Sequence, residues 1–289
     1  MKVLFATDGF QPSLDALTAL QRWLDPKDLS MTVLSVAPIA SFSPEDLLVE
    51  LDPKAVRTEA ARELAGSTVT QLEKAGFTAT MQVEAGHPGR EIVRAASEGG
   101  HDLAVIGGGG TSWMKRHLLG SVSNYVVHSA PTPVLVVHEV SDREAVRILL
   151  AVDGSDHSDA AVDLVCRLVD PQRCSLAIAS VVPLTEPVVV GVAGSVAVIP
   201  IGEERSGHAV AAAERAVEAA AERARKAGFE VEERILEGAP GPTIVGEARI
   251  GIFDLVALGA RGHGRLHSLI LGSVSDTVVR HCPATLIAR

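Results

Sequence analysis

The strongest constraint on the fold is a glycine-containing segment that the chain carries twice. Residues 103–125 read LAVIGGGGTSWMKRHLLGSVSNY, and residues 255–277 read LVALGARGHGRLHSLILGSVSDT. Both follow one spacing: an apolar run, Gly, two residues, Gly, nine residues and then Gly-Ser-Val-Ser. The apolar run before the glycines indicates a buried strand, and Gly-Ser before a second apolar stretch indicates the start of a helix. Two copies with the same internal spacing predict two halves of related structure.

Other segments repeat in the same order and extend this relationship along the chain. Residues 3–9 correspond to residues 148–154 at an offset of 145, and segments later in each half correspond at an offset of 152. We therefore place an insertion in the Gly- and Val-rich stretch 188–207 of the second half and predict a loop with little regular structure there. The predicted domains are residues 1–139 and 146–289.

Each half shows the same predicted order of secondary-structure elements. Short apolar segments of strand length alternate with segments of helix length, which gives five strands and four helices in each half. Strands that alternate with helices indicate βαβ units with right-handed crossovers and a parallel sheet. The predicted fold class is therefore α/β, with two tandem doubly wound five-stranded parallel-sheet sandwiches that are Rossmann-like and have the strand order 3-2-1-4-5.

Composition supports this class and argues against several kinds of partner. Hydrophobic residues make up 47% of the chain and aromatic residues only 3%, which suits parallel strands buried on both faces under Ala-rich helices. A net charge of -10 without a basic stripe argues against binding to nucleic acid or to an anionic membrane. Cys166, Cys174 and Cys282 form no CxxC pair, so we expect neither a disulfide framework nor a zinc site. A cytoplasmic location is expected.

The residues that could carry chemistry fall at the ends of two predicted strands. Asp8 and Asp153 follow strand one of each half, and the glycine segments follow strand four. Strands one and four are neighbours in the order 3-2-1-4-5, at the point where the strand order reverses. Ligands of such sheets bind beyond the carboxyl ends of the strands at this point. We therefore expect one crevice in each half that combines the aspartate with the glycine segment.

The glycine segment itself favours an anion. Gly-Ser at positions 120–121 and 272–273 begins a helix, where free N–H groups and the helix dipole attract phosphate, and the serine hydroxyls can donate as well. The glycines are expected to let the backbone approach a ligand closely and to allow a positive φ. These glycines are Gly107, Gly110, Gly259 and Gly262.

With both copies matching G-x2-G-x9-G-S, each half resembles a universal stress protein domain, and the resemblance covers essentially the whole chain. It implies binding of ATP, or of ADP or AMP, with Mg²⁺ or Mn²⁺ carried by the phosphates. In the first half the implied nucleotide-binding residues are Ala6, Thr7, Asp8, Val36, Ile106, Gly107, Gly109, Gly110, Gly120, Ser121, Val122 and Ser123. In the second half they are Ala151, Val152, Asp153, Val181, Leu258, Gly259, Arg261, Gly262, Gly272, Ser273, Val274 and Ser275. The family commonly dimerises through strand five, which implies pairing of the two halves within the chain, and we also expect a homodimer.

The two copies differ in their charged residues. Arg261 stands in the second copy where the first has Gly109, and it either meets phosphate charge or is an ordinary solvated side chain. The basic residues between the glycines carry the same two interpretations; they are Lys115, Arg116, His117, Arg265 and His267. Strand one ends in Asp-Gly-Ser in the second half, which matches the family better than Asp-Gly-Phe in the first. We expect both sites to bind, with the second half the more favourable.

Three functions remain open at the level of sequence. The leading one is a nucleotide-dependent sensor or regulator of the stress response that hydrolyses ATP slowly or not at all, because no residue is placed as a general base for the γ-phosphate. An adenylating or ATP-hydrolysing enzyme of a related fold would carry a Ser-Gly-Gly-rich loop after strand one, and this chain does not. A nucleotide-free dimerising scaffold would not need intact glycine motifs.

Overall fold

The computed structural model describes residues 1–39, 53–109, 119–143, 145–184, 188–192, 195–199, 203–262 and 271–289. The elements of the first half are β1 (Lys2–Ala6), α1 (Gln11–Trp23), β2 (Ser30–Pro38), α2 (Pro53–Lys74), β3 (Thr78–Gly86), α3 (Pro88–Glu98), β4 (Leu103–Gly107), α4 (Ser121–Ser129) and β5 (Val134–Val137). Those of the second half are β6 (Val146–Ala151), α5 (Asp156–Leu168), β7 (Cys174–Val182), β8 (Val188–Val192), β9 (Ser195–Ile199), α6 (Glu203–Lys226), β10 (Val231–Glu237), α7 (Pro240–Ile250), β11 (Leu255–Gly259), α8 (Ser273–His281) and β12 (Ala284–Ala288).

Ten of the described strands form one continuous sheet, in the order β10-β7-β6-β11-β12-β5-β4-β1-β2-β3. Within each half the strands are parallel and follow the predicted order 3-2-1-4-5, so this part of the prediction is confirmed. The two halves meet at β5 and β12, which pair in antiparallel orientation from Ala284 opposite Val137 to Ile287 opposite Val134. Because of this orientation, the carboxyl ends of the strands point to one edge of the sheet in the first half and to the other edge in the second.

The sheet is apolar on both faces, and helices cover both. Phe5, Leu20 and Leu72 belong to a core that joins one face of the sheet with α1, α2, α5 and α6. Leu4 and Ile92 belong to a second core on the other face, which is covered by α3, α4, α7 and α8. Alternate residues of β1 thus enter different cores, which explains why its sequence is apolar throughout instead of alternating.

The prediction of a loop with little regular structure at residues 188–207 was wrong for the described part of that stretch. The backbone of β8 pairs with that of β9 as an antiparallel hairpin outside the large sheet, and α6 already begins at Glu203. Valine and isoleucine favour extended strands because their branched side chains fit a pleated surface. The glycines of this stretch suggested a loop, but Gly207 lies within α6 among strong helix formers.

Candidate functional site

The larger of two related cavities lies in the second half, at the carboxyl ends of β6 and β11. It has a volume of about 470 Å³, within the range typical of small-molecule sites. All twelve residues that the sequence implied for this half line it, and their role in binding a nucleotide stays a prediction. The sequence did not identify four further lining residues, which are Ser158, Pro240, Ile244 and Leu271.

The corresponding cavity of the first half is smaller, about 230 Å³, and lies at the carboxyl ends of β1 and β4. Eleven of the twelve implied residues line it, and the twelfth, Gly110, lies outside the described residues. The lining residues that the sequence did not identify here are Pro12, Ser13, Leu34, Pro88 and Ile92. Which half is the more favourable site stays a prediction.

Most of the additional residues come from the first turns of α1, α3, α5 and α7. Pro88 and Pro240 occupy the first position of α3 and α7, and Ile92 and Ile244 lie one turn further along the same helices. A sequence signal for them exists, because Gly-x-Pro-Gly is repeated at positions 86–89 and 238–241 at the common offset. These residues follow strand three of each half. The side chains of the prolines and isoleucines form an apolar wall of the cavity opposite the glycine segment.

Helices α4 and α8 begin at the cavities with a glycine as the N-cap residue. Gly120 and Gly272 are the N-cap residues of α4 and α8, with φ of −62° and −69°, and neither makes a side-chain hydrogen bond to the first turn. By contrast, the N-cap Ser155 of α5 accepts a hydrogen bond from the Ser158 amide. A glycine cap leaves the first N–H groups of the helix directed at the cavity, where the helix dipole also favours negative charge. The donor set therefore fits a phosphate group.

The two serines of each Gly-Ser-Val-Ser differ in what they can do. Ser123 and Ser275 are buried, and their hydroxyls donate to the carbonyl oxygens of Gly107 and Gly259 at 2.7 and 2.8 Å. They tie the start of α4 or α8 to the end of the preceding strand, so their protons are committed to the protein backbone. Ser121 and Ser273, whose hydroxyls are expected to donate to a ligand, are the exposed members of the two pairs, and that role stays a prediction.

For the described glycines of the segment the expected positive φ is wrong, and their close approach to a ligand stays a prediction. Gly107, Gly259 and Gly262 do not have a positive φ. A Cβ on Gly107 would lie 2.6 Å from the backbone carbon of Pro12, and one on Gly259 would lie 2.7 Å from that of His157. Both glycines are therefore required for close packing of the strand end against the first turn of α1 or α5.

The left-handed glycines are instead those of the Asp-Gly pairs. Gly9 and Gly154 have φ of 76° and 79°. The turn folds each aspartate back on its own backbone, so that Oδ1 of Asp153 accepts from the Ser155 amide at 3.0 Å. A Cβ on Gly262 would overlap Oδ2 of Asp153, so the aspartate carboxylate lies directly against the glycine segment. The two sequence features meet in one crevice, as expected.

The two cavities differ in the ionisable residues that line them. Among the described lining residues, the second cavity has Asp153 and Arg261 as ionisable groups, and the first has Asp8. Arg261 also lies near Arg289: burial lowers the pKa of the Arg289 guanidinium, and the positive charge of Arg261 lowers it further. Whether Arg261 meets a phosphate stays a prediction. The basic residues between the glycines, at 111–118 and 263–270, lie outside the described residues.

The cysteines are poor nucleophiles. Burial raises the pKa of both the Cys174 and Cys282 thiols to about 12, and it also raises that of Cys166. In the described part of the chain, no cluster of His, Cys, Asp and Glu could hold a metal ion. Within the same residues, no helix is both long and apolar enough to cross a membrane.

Comparison with known proteins gives a consistent result for both halves. The family model described as the universal stress protein family matches residues 1–138 and 145–288. A universal stress protein of Methanocaldococcus jannaschii is 33% identical over 117 residues, which cover 40% of this chain and 70% of that protein. One from Bacillus subtilis is 31% identical over 146 residues, 47% of this chain and 97% of that protein. The crystal structure of a universal stress protein from Archaeoglobus fulgidus superposes with a TM-score of 0.70 at 25% identity, covering 100% of this chain and 98% of that one.

Proposed function

Because the chain belongs to the universal stress protein family, with one family domain in each half, we propose that it binds ATP and acts as a nucleotide-dependent regulator in the stress response. The observation that carries the proposal is the second cavity, where Asp153 and the uncapped start of α8 face one space of about 470 Å³. The helix start suits the phosphates, the aspartate can accept from a ribose hydroxyl, and the apolar wall suits a purine ring.

The chemistry of the lining favours binding over turnover. Among the described residues of the second cavity, Asp153 is the one carboxylate, and its Oδ1 already accepts from the Ser155 amide. General base catalysis needs a proton acceptor within hydrogen-bond reach of the attacking water. We therefore propose slow or no ATP hydrolysis, with Mg²⁺ or Mn²⁺ entering on the phosphates.

The proposal also covers assembly and location. The antiparallel pairing of β5 with β12 supports an intramolecular version of the strand-five pairing that the family resemblance implies. A further association of two chains and a cytoplasmic location belong to the proposal as well.

Isothermal titration with MgATP tests the central claim. We expect saturable binding with up to two nucleotides per chain. Inorganic triphosphate should bind more weakly because it lacks the adenosine that would pack against the apolar wall. Absence of binding at millimolar MgATP would overturn the proposal. Release of inorganic phosphate at the rate of an ordinary ATPase, about 1 per second or faster, would instead favour the enzymatic alternative.

Replacement of Asp153 by asparagine should weaken ATP binding in the second half about tenfold and leave the melting temperature unchanged. Asparagine keeps the Oδ1 acceptor for the Ser155 amide but loses the charge that strengthens a hydrogen bond from a ribose hydroxyl. The matched control is Asp156→Asn, which removes the same charge from an exposed position in the first turn of α5. Equal effects of the two substitutions on the Kd would show that Asp153 acts only through general electrostatics.

A further inference from the structure

Helices α4 and α8 each begin at one cavity and end at the end of the sheet where the other half's cavity opens. The carboxyl end of β5 lies beside the amino end of β12, since Val137 is opposite Ala284. The two cavities therefore open at opposite edges of the sheet. Helix α4 begins at the first cavity and leads directly into the amino end of β5, so its last turn lies at the edge where the second cavity opens. Helix α8 has the reciprocal position. A helix of nine residues is about 14 Å long.

His138 holds the end of α8 against the glycine segment of the first half. It follows β5 directly and is buried. Its Nε2 lies 2.8 Å from the carbonyl oxygen of Val279 in α8; a carbonyl only accepts, so Nε2 carries the proton. The same ring packs on Gly108, where a Cβ would lie 2.5 Å from Nδ1. Gly108 in turn accepts a hydrogen bond from the Gly120 amide at the start of α4.

Arg289 occupies the equivalent position in the second half. It follows β12, and the Ala288 carbonyl before it accepts from the Ala260 amide at 2.6 Å, just as the Val137 carbonyl accepts from the Gly108 amide. Its guanidinium donates to the carbonyl oxygen of Val127 in the last turn of α4. It also lies close enough to Arg261, which lines the second cavity, for the charge of Arg261 to lower its pKa after the larger effect of burial.

The two helices also contact each other directly. Arg280 of α8 donates to Oδ1 of Asn124 in α4 at 3.1 Å, and it forms an ion pair with Asp276 at 2.9 Å. Nε2 of His128 in α4 lies 3.7 Å from the same Asp276 carboxylate. Asn124 and Asp276 are equivalent positions of the two halves, as are His128 and Arg280, so the contact is nearly symmetric about the junction of the halves.

We propose that His138 and Arg289 are positioning residues that couple the two nucleotide sites, so that a nucleotide bound in one half changes the affinity of the other. A phosphate at the start of α4 acts on a helix whose Val127 carbonyl is held by Arg289, which lies near the lining residue Arg261. A phosphate at the start of α8 acts in the same way through His138 on Gly108. A rigid element attached to both sites can carry such coupling, and α4 and α8 are two elements of this kind. The inference rests on the proposed function, because it presupposes that both cavities bind nucleotide.

The test compares MgATP isotherms of the unaltered chain with those of two single-site variants. Ser121→Glu blocks the first site and Ser273→Glu blocks the second, since both serines are exposed at the start of a phosphate-facing helix. Independent sites give an unaltered-chain isotherm equal to the sum of the two single-site isotherms. Coupled sites give at least one binding step whose Kd differs by about fivefold or more from the Kd of the corresponding single-site variant. A fivefold change is about the lower end of typical couplings.

Paired substitutions then separate positioning from structural support. His138→Leu together with Arg289→Met removes both donors and is expected to make the isotherm additive. His138→Gln together with Arg289→Lys keeps a donor at each position and is expected to retain the departure from additivity. Each pair is measured against single-site variants in its own background, so that a general loss of affinity does not imitate a loss of coupling.

The outcomes distinguish this inference from the proposed function. No MgATP binding in any variant overturns the proposed function and, with it, the coupling. Binding in both halves with additive isotherms overturns the coupling alone, and so does binding confined to one half. Equal behaviour of the Leu/Met and Gln/Lys pairs overturns the assignment to His138 and Arg289.

Discussion

Replacing Ser273 by glutamate is expected to weaken ATP binding in the second half by about 30- to 1,000-fold without lowering thermal stability. The side chain stands at the first position of α8, exposed at the rim of the cavity. A carboxylate there would face the phosphates across a few ångströms, where like charges repel by about 2 to 4 kcal/mol in a partly solvated site. The same carboxylate interacts favourably with the helix dipole, by about 0.3 to 1 kcal/mol, so the fold is not compromised.

The matched control is Ser273→Gln, which has nearly the same shape but no charge. Isothermal titration should show a much smaller loss of affinity for the glutamine variant, and thermal denaturation should show the glutamate variant at least as stable as the parent chain. An equal loss for both variants would indicate a steric effect instead of a phosphate at this position. The corresponding change in the first half, Ser121→Glu, should leave nucleotide binding in the second half detectable.

Replacing Gly259 by alanine is expected to lower the free energy of unfolding by about 3 kcal/mol, a large effect for one added methyl group. The new Cβ would lie 2.7 Å from the backbone carbon of His157 and 2.8 Å from the Ser158 amide nitrogen. Backbone cannot rotate away as a flexible side chain can, so the first turn of α5 must move, and overpacking of this kind typically costs about 1 to 3 kcal/mol. Gly107→Ala should behave in the same way against Pro12.

Gly246→Ala and Gly66→Ala provide controls of the opposite sign. Both glycines lie inside helices with nothing within 4 Å of the added Cβ. Alanine there should raise the free energy of unfolding by about 0.5 to 1 kcal/mol, because it loses less conformational freedom on folding. Urea denaturation followed by circular dichroism measures all four variants. If Gly259→Ala were as stable as Gly246→Ala, the tight packing of β11 on α5 would be wrong.

These glycine effects change how binding data should be interpreted. Loss of ATP binding in a Gly259 variant is not evidence that Gly259 contacts the ligand. The same substitution displaces α5, whose residue Ser158 lines the cavity. Ser273 and Asp153 are better probes, since both are exposed and neither supports the core. Gly262 is intermediate: a side chain there would push the Asp153 carboxylate away and change the site without a clash against backbone.

Much of the fold could be predicted from local patterns. Apolar runs such as residues 103–107 occupy strands buried on both faces, and their length and their Gly and Pro neighbours mark where each strand ends. The hairpin β8–β9 escaped prediction because glycine is a loop signal, whereas the valines of the same stretch favour strands. Pro88 and Pro240 escaped the site prediction because the pattern marks them as helix starts without showing which crevice the helix faces.

The sequence by itself determined the repeat, the order of the strands and helices that the two halves share, and the presence of an aspartate and a glycine segment in each half. These features follow from spacing and periodicity, which are local properties of the chain. Only the tertiary structure decided that β5 and β12 pair in antiparallel orientation, that Gly107 and Gly259 serve packing, and that His138 and Arg289 reach the other half's last helix. These contacts join backbone groups and side chains that lie up to more than a hundred residues apart in sequence. Local sequence patterns do not specify which distant groups come into contact.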